Sequence, residues 1–446
     1  MAKIDMLLVY PKATKDSPVN LTPLSILYPG ALFESQGKRV AYFDARYDPP
    51  ELLDELIGEA DEIGVSCFTG YQTGQAARIL KHAKRLKPGI ITGVGGHHAR
   101  ILPEQCLSEP FVDKVWRERV YGEHLFPYNE RTKHMFARGD MQYFTSRGCP
   151  FPCTFCALTS PWKPKPIDEL ERELKIIHHD VGFDEISFSD PNIGFGVWKD
   201  DEGRNVRMDR VRRIQEIGRL MRDLGVRWDG NIRAPYLSPE MVEALVEASC
   251  FSIEIGCESG NDHFLRKVIR KGHGVKAICE AAQNVRGSGV SIMYSFIANM
   301  PRETPAMLRD TLDLIDWIVD TDPDARVSIY NYAPYPGSPM YEDALAGVDG
   351  YPRFEPPASM EGWGRLKLMQ SPIYWIAGLN FRMDNTRKNF PGDDWRLIEP
   401  YVELARDKWQ RRDVAEFPCD EVERLIEAQV QKRRAGDALM LAEAGV

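Results

Sequence analysis

The chain has 446 residues, of which 43% are hydrophobic, and a formal charge of −9. The apolar content suffices for sizeable buried cores, and the acidic balance argues against a nucleic-acid surface, since such surfaces are basic. No apolar run approaches the roughly 18–20 residues that span a membrane, and nine cysteines, three of them clustered, fit a reducing cytoplasm and a metal site better than a disulfide framework. Length alone predicts about three domains, or two with an appendage. The N-terminus holds an acid inside a short apolar run without a small-residue cleavage site, so it reads as a first buried strand.

Strand patterns at 6–10, 39–44, 62–66 and 89–94 alternate with helical patterns at 24–36, 50–60 and 74–86. That alternation predicts βα units around a parallel sheet, whose ligands sit at the carboxyl ends of the strands. Three loops there, 20–25, 66–74 and 95–99, are rich in small or hydroxyl residues that let a large flat ligand approach the backbone. Residues 111–115 read as one more edge strand. The stretch 108–140 reads as a charged linker whose His124 and His134 show no ligand spacing.

Residues 141–146 read as a short strand, and the loop beyond it carries Cys149, Cys153 and Cys156 in a CxxxCxxC array. Soft thiolates select zinc, copper(I) or iron–sulfur clusters. A structural zinc site takes four closed ligands, yet the nearest following histidine is His178. Three ligands to a four-iron cluster would leave one iron open. Helices over 167–181, 208–224, 238–248, 274–287 and 304–319 then alternate with strands over 185–189, 226–233, 251–256, 291–297 and 326–332. Ser238 caps its helix with Pro239 in the first position. Counting the cysteine strand, six βα repeats close most of a barrel, with the site on its C-terminal face. From Gly347 the character shifts to prolines and a Trp-rich helical stretch holding Trp363, Trp375, Trp395 and Trp409. It reads as a helical cap on the barrel's open face that selects substrate.

The cysteine array, with Phe155 before its last Cys, resembles the signature of the radical S-adenosylmethionine (SAM) superfamily. The resemblance implies a [4Fe–4S] cluster on the three cysteines, its open iron chelating the amino and carboxylate groups of SAM, and Phe155 packed on the adenine. Ser189-Asp190 lies where the family contacts the SAM amino group, and Arg233 has the planar fork that suits the carboxylate. Glu258, within 255–260, looks like the acid that reaches the ribose or methionyl end. The strand and turn at 294–304 resemble the adenine-holding segment, with Ser295, Met300 and Pro301 as contacts. Tyr330 and Tyr332, with Tyr335 nearby, are expected to face the cavity between two cofactors and are the catalytic candidates.

The first third is similar to the cobalamin-binding domain that precedes the barrel in one large class of these enzymes, through 63–70 and 94–99 with Pro103-Glu104. The resemblance implies that Ser66, Thr69, Gly70, Gly95, Gly96 and His98 line the corrinoid or its tail. The DxHxxG motif is absent, Asp44 being followed by Ala45-Arg46. No histidine is therefore expected on cobalt, and Tyr71 is the candidate for its lower face. Only Gly122-Glu123-His124 stands where related chains carry Gly-Glu-x-Glu.

The expected architecture is α/β: a Rossmann-like cobalamin-binding domain over 1–107, a linker over 108–140, a partial (β/α)6 radical SAM barrel over 141–346 and a helical substrate-selecting domain over 347–446. The resemblance implies a cytoplasmic, monomeric C-methyltransferase using a [4Fe–4S] cluster, SAM, cobalamin and an external electron donor, without nucleic-acid or membrane partners. In that family a 5′-deoxyadenosyl radical takes hydrogen from an unactivated sp3 carbon and methylcobalamin donates the methyl group. The substrate is a protein or peptide side chain, an antibiotic precursor or a lipid; the compact length most resembles enzymes that methylate a protein residue, such as the glutamine of methyl-coenzyme M reductase. The alternative within enzymes is cobalamin-assisted rearrangement or cyclisation without methyl transfer. A methylthiotransferase needs a second three-cysteine cluster, and only Cys67 and Cys106 lie in the first domain. A corrinoid or metal carrier would leave Glu258, Arg233 and the Pro301 turn without a task.

Overall fold

The computed structural model describes residues 3–365 apart from 13–20, 119–124, 159, 201, 299, 323, 333–334 and 349–355. β1 (Met6–Tyr10), β2 (Val40–Asp44), β3 (Glu62–Ser66), β4 (Ile91–Gly95) and β5 (Lys114–Val115) form one parallel sheet in the order β2-β1-β3-β4-β5. Both β1 and β3 are short apolar runs buried on both faces, as parallel strands under helices must be. α1 (Leu24–Ser35), α2 (Pro50–Glu59) and α3 (Tyr71–Leu86) connect the strands, and the short α4 (His97–Ile101) and α5 (Pro103–Leu107) follow β4. The strand order reverses between β1 and β3, so a crevice opens there at the carboxyl edge.

Gly74, where the sequence predicts α3 to begin, lies inside that helix. Its missing side chain is a packing requirement, because a Cβ there would lie 2.8 Å from the Cα of Gly364. The stretch expected to be a charged linker also departs from its reading. Tyr128, Met135 and Phe136 are buried, the latter two in α6 (Lys133–Phe136), and they pack into the same apolar core as α1 and the barrel. His134 is exposed, and His124 lies outside the described residues.

In the second half β6 (Gln142–Tyr143) is followed by an antiparallel hairpin, β7 (Ser146–Cys149) and β8 (Ser160–Pro164), then α7 (Ile167–Val181) and β9 (Glu185–Phe188). A second hairpin, β10 (Val197–Lys199) and β11 (Asn205–Arg207), precedes α8 (Arg210–Leu224). The barrel continues through β12 (Arg227–Asn231), α9 (Pro239–Glu247), β13 (Cys250–Glu258), α10 (Val275–Val285), β14 (Ser291–Ala298), α11 (Pro305–Thr321) and β15 (Arg326–Asn331). Six parallel strands stand in the order β15-β14-β13-β12-β9-β6, as the sequence predicts. Ser238 and Thr304 cap α9 and α11, their side chains accepting from Met241 and Met307 backbone N–H groups.

The outward side chains Trp228, Ile253, Ile255, Ile292 and Phe296 are fully buried under the helices. The inward ones are polar: Ser187 donates to Asp229 at 2.9 Å and Ser295 to Glu254 at 2.5 Å. α12 (Pro339–Ala346) follows the last strand, and α13 (Met360–Arg365) packs across α3. Residues 356–365 of the expected cap therefore lie against the N-terminal domain; Trp375, Trp395 and Trp409 lie outside the described residues. Among the described residues no helix is long and apolar enough to cross a membrane.

Candidate functional site

The first cysteine stands on a strand, not in a loop. Cys149 ends β7, and Cys153 and Cys156 lie on the connection to β8. Gly148 has φ +79°, and any Cβ there would overlap the Pro161 carbonyl across the hairpin. Cys153 is buried and the other two cysteines are half-buried. Burial pushes the Cys156 thiol up to about 11, so the group stays a neutral thiol unless a metal, which deprotonates a coordinating thiol, binds. Three soft donors on one hairpin suit a thiolate-bound metal centre.

Asp190 fastens this hairpin. Its Oδ1 accepts the Thr145 N–H at 2.8 Å, and its Oδ2 accepts the Thr145 and Ser146 hydroxyls at 2.7 and 2.5 Å. Burial nevertheless pushes its carboxyl up to about 6, against these hydrogen bonds and the Arg213 charge. The polar groups without a protein partner at this strand end are its neighbours, the Ser189 hydroxyl and both amide atoms of the fully buried Asn192.

Arg233 lies against the cysteines. Its guanidinium is 3.7 Å from the Phe151 ring centroid, Nη1 is 4.0 Å from Cys153 Sγ, and Nη2 donates to the Lys271 carbonyl. Lys271, which the sequence reading passes over, donates Nζ to Glu258 Oε1 at 2.5 Å, with both side chains 8% exposed. The same ammonium stands 5.8 Å over the ring of Phe155. Glu258 has φ +67° and Arg270 φ +52°, and a π-helical turn, Phe264–Val268, lies between them. Left-handed non-glycine backbone and π-turns concentrate at functional sites. His273 follows, 4% exposed with Nε2 unpartnered; burial first, then the Lys271 and Arg233 charges, push it down to about 3. No spacing or periodicity marks Lys271 or His273, because a turn between a strand and a helix has none.

The remaining barrel candidates separate. Ser295 faces the lumen through Glu254, while Met300 and Pro301 are buried in the turn after β14. Tyr330 is half-buried on β15, and Tyr332 is buried just beyond it, its N–H donating to Ala298 at 2.9 Å. The Tyr335 ring lies 6.3 Å from that of Phe68 in the N-terminal domain, across the seam between the two halves.

A cavity of about 950 Å³ lies between the carboxyl edge of the first sheet and the cysteine hairpin. Ser66, Gly95 and Gly96 line it as expected, together with His97, Arg100 and Trp116, which the sequence reading leaves out. Phe144, Gly148, Leu158 and Lys163 line the opposite wall. Thr69, Gly70, Tyr71 and His98 are not on its wall. Gly70, at φ +108°, caps α3 and Tyr71 opens it, while Thr69 and His98 are buried behind the wall with Oγ1 and Nδ1 3.0 Å apart. The mostly apolar space is large enough for a bulky planar ligand.

Residues 143–315 match the model of the radical SAM superfamily, and residues 13–127 match that of the B12 binding domain. An uncharacterized methyltransferase of Pyrococcus horikoshii is 28% identical over 65% of this chain and 70% of its own. The bacteriochlorophyllide d C-12(1)-methyltransferase of Chlorobaculum tepidum is 24% identical over 86% of this chain and 94% of its own. Among solved structures, the radical SAM methyltransferase TsrM of Kitasatospora setae, with cobalamin and [4Fe–4S] cluster bound, shares the fold. It aligns with a TM-score of 0.61 at 15% identity, over 96% of this chain and 100% of that one.

Proposed function

The chain is a cobalamin-binding radical SAM enzyme that uses a [4Fe–4S] cluster, SAM and cobalamin, and from that premise we propose that it methylates an unactivated sp3 carbon. One observation carries the reading: Gly148, the neighbour of cluster ligand Cys149, lines the same cavity as Gly95 and Gly96 of the cobalamin domain. A corrinoid in that cavity and a cluster on that hairpin therefore work on one substrate. The relatives named as methyltransferases support the reaction type.

When bound, the cofactors supply a carbon-centred radical and a transferable methyl group; the protein's part is position, charge and the exclusion of water. Cys149, Cys153 and Cys156 hold the cluster, and Arg233 sets a positive charge 4.0 Å from Cys153 Sγ, which favours a more reduced, more negative cluster. Phe155 offers its ring to the adenine. Lys271 holds the carboxylate of Glu258, which would meet the ribose or methionyl end of SAM, and Ser189, Asp190 and Asn192 would offer polar groups at the end of β9. Phe151, Trp162, Phe195 and Trp198 form a chain of edge-on rings 5.4 to 5.9 Å apart that shields this side from water. Tyr330 and Tyr332 stay the candidates for contact with substrate. For the acceptor, the reading extends to a protein or peptide side chain such as glutamine.

The experiment needs no substrate. Anaerobically reconstituted protein loaded with reduced cobalamin is given SAM carrying a labelled methyl group. The reading predicts S-adenosylhomocysteine and label on the corrinoid. SAM cleavage to 5′-deoxyadenosine with no label on the corrinoid would replace methyl transfer by rearrangement or cyclisation.

A further inference from the structure

Two loops at the carboxyl edge of the first sheet, 66–70 after β3 and 95–98 after β4, are tied through their backbones. Cys67 N–H donates to Gly95 O at 2.9 Å, and His98 N–H donates to Cys67 O at 3.0 Å. Their front carries Ser66, Gly95, Gly96 and His97 on the cavity wall. Their back is Thr69 and His98, the latter without exposed surface. Burial pushes His98 down to about 3, so its ring is neutral. That ring sits edge-on to the indole of Trp363, centroids 5.4 Å apart and planes at 71°.

Trp363 arrives from the far end of the described chain and is itself fully buried. Its Nε1–H donates to Gln105 Oε1 at 2.7 Å, and Gln105 Nε2–H donates to Pro357 O at 2.5 Å. The Met360 N–H donates to Glu109 Oε1 at 2.7 Å. Next to the indole, Gly364 meets Gly74 of α3 backbone to backbone. The other side of the indole lies 6.5 Å from the ring of Tyr341 in α12, the helix that follows the last barrel strand. One side chain thus touches the back of the cavity loops, the helical layer of the first domain and the end of the barrel.

We propose that Trp363 is a positioning residue for the corrinoid, acting through His98 to hold the two loops that form the cavity wall. The inference rests on the reading that this cavity takes cobalamin. Trp363 is not on the cavity wall, so it has no direct contact to lose. Short loops open at low free energy unless something packed holds them. A ligand that binds only the closed arrangement has its apparent affinity reduced by the fraction of molecules in it. Without the indole, His98 would face a void, and that fraction would fall.

The test compares wild type, Trp363→Ala, Trp363→Phe and Gln105→Met in the anaerobic, cluster-loaded full chain. Hydroxocobalamin affinity and the absorption spectrum of the bound corrinoid are read beside iron content on the same samples. The expected result is a roughly tenfold or greater rise in Kd for Trp363→Ala with iron unchanged. Trp363→Phe, which keeps a ring against His98, recovers most of the affinity. A Kd for Trp363→Ala within about twofold of wild type, or no recovery with Phe, overturns the proposal. Should Trp363→Ala lose iron and fold together, Gln105→Met decides, since it keeps the indole and removes its tether together with the Gln105 bond to Pro357. Weaker corrinoid binding with normal iron supports the proposal, and unchanged binding overturns it. Wild-type protein that takes up iron but no cobalamin overturns the premise itself, a failure visible before any variant is made.

Discussion

Replacing Lys271 by Met tests whether the polar cluster beside the cysteines is built as described. Lys271 and Glu258 are each 8% exposed and 2.5 Å apart, so neither charge is solvated by water. Removing one partner of such a pair leaves the other charge buried, at a cost of about 3–5 kcal/mol. For a unit of barrel size, each kcal/mol shifts Tm by roughly 2–4 °C, so Lys271→Met lowers the unfolding midpoint by roughly 6–20 °C. Glu258→Gln removes the carboxylate's charge, and the double variant Glu258→Gln/Lys271→Met leaves no buried charge of this pair. The account predicts that the double variant is more stable than Lys271→Met alone, with a coupling of about 2 kcal/mol or more. SAM affinity, measured on cluster-loaded protein by equilibrium dialysis, falls in both single variants. Midpoints measured by anaerobic differential scanning calorimetry decide the matter. A shift for Lys271→Met equivalent to less than about 1 kcal/mol, or purely additive effects, would refute the buried-pair reasoning.

Three further predictions concern the hairpin. The carboxyl of Asp190 is raised from 3.8 to about 6, so the folded state holds this proton more tightly than the unfolded one. Its contribution to stability is full below the unfolded value and is lost as pH rises through about 6, a change of about 1.4 kcal/mol between pH 5 and 8; urea titrations should show Asp190→Asn lacking that component. Gly148→Ala, at φ +79° and against the Pro161 carbonyl, should destabilise the hairpin by about 2 kcal/mol or more and reduce the iron retained after gel filtration. Replacing Cys149, Cys153 or Cys156 singly with Ser should remove the iron chromophore while cobalamin still binds.

The six barrel strands and the alternating first sheet were legible because each is a short apolar or alternating run, and periodicity reads such runs directly. Ser238-Pro239 marked a helix start for the same local reason. The hairpin of β7 and β8 was not legible, since Pro161 and Pro164 argue against a strand and edge strands alone tolerate them. Asp190 illustrates a second limit. The resemblance gives it a contact to the SAM amino group, while the three hydrogen bonds it accepts from Thr145 and Ser146, about 45 residues earlier, follow from no local pattern. The resemblance put Thr69 and His98 on the cavity, yet which face of a loop looks outward is set by what packs behind it, here Trp363 against His98. Lys271 and His273 carry no local signal and became visible only as a buried ion pair and an unpartnered imidazole.

The most direct measurement is the iron, sulfide and corrinoid content of protein produced anaerobically with cobalamin supplied. The account predicts about four irons and one corrinoid per chain. A full complement of iron with no corrinoid would contradict it, because the cavity between Gly96 and Gly148 would then have no methyl-carrying occupant.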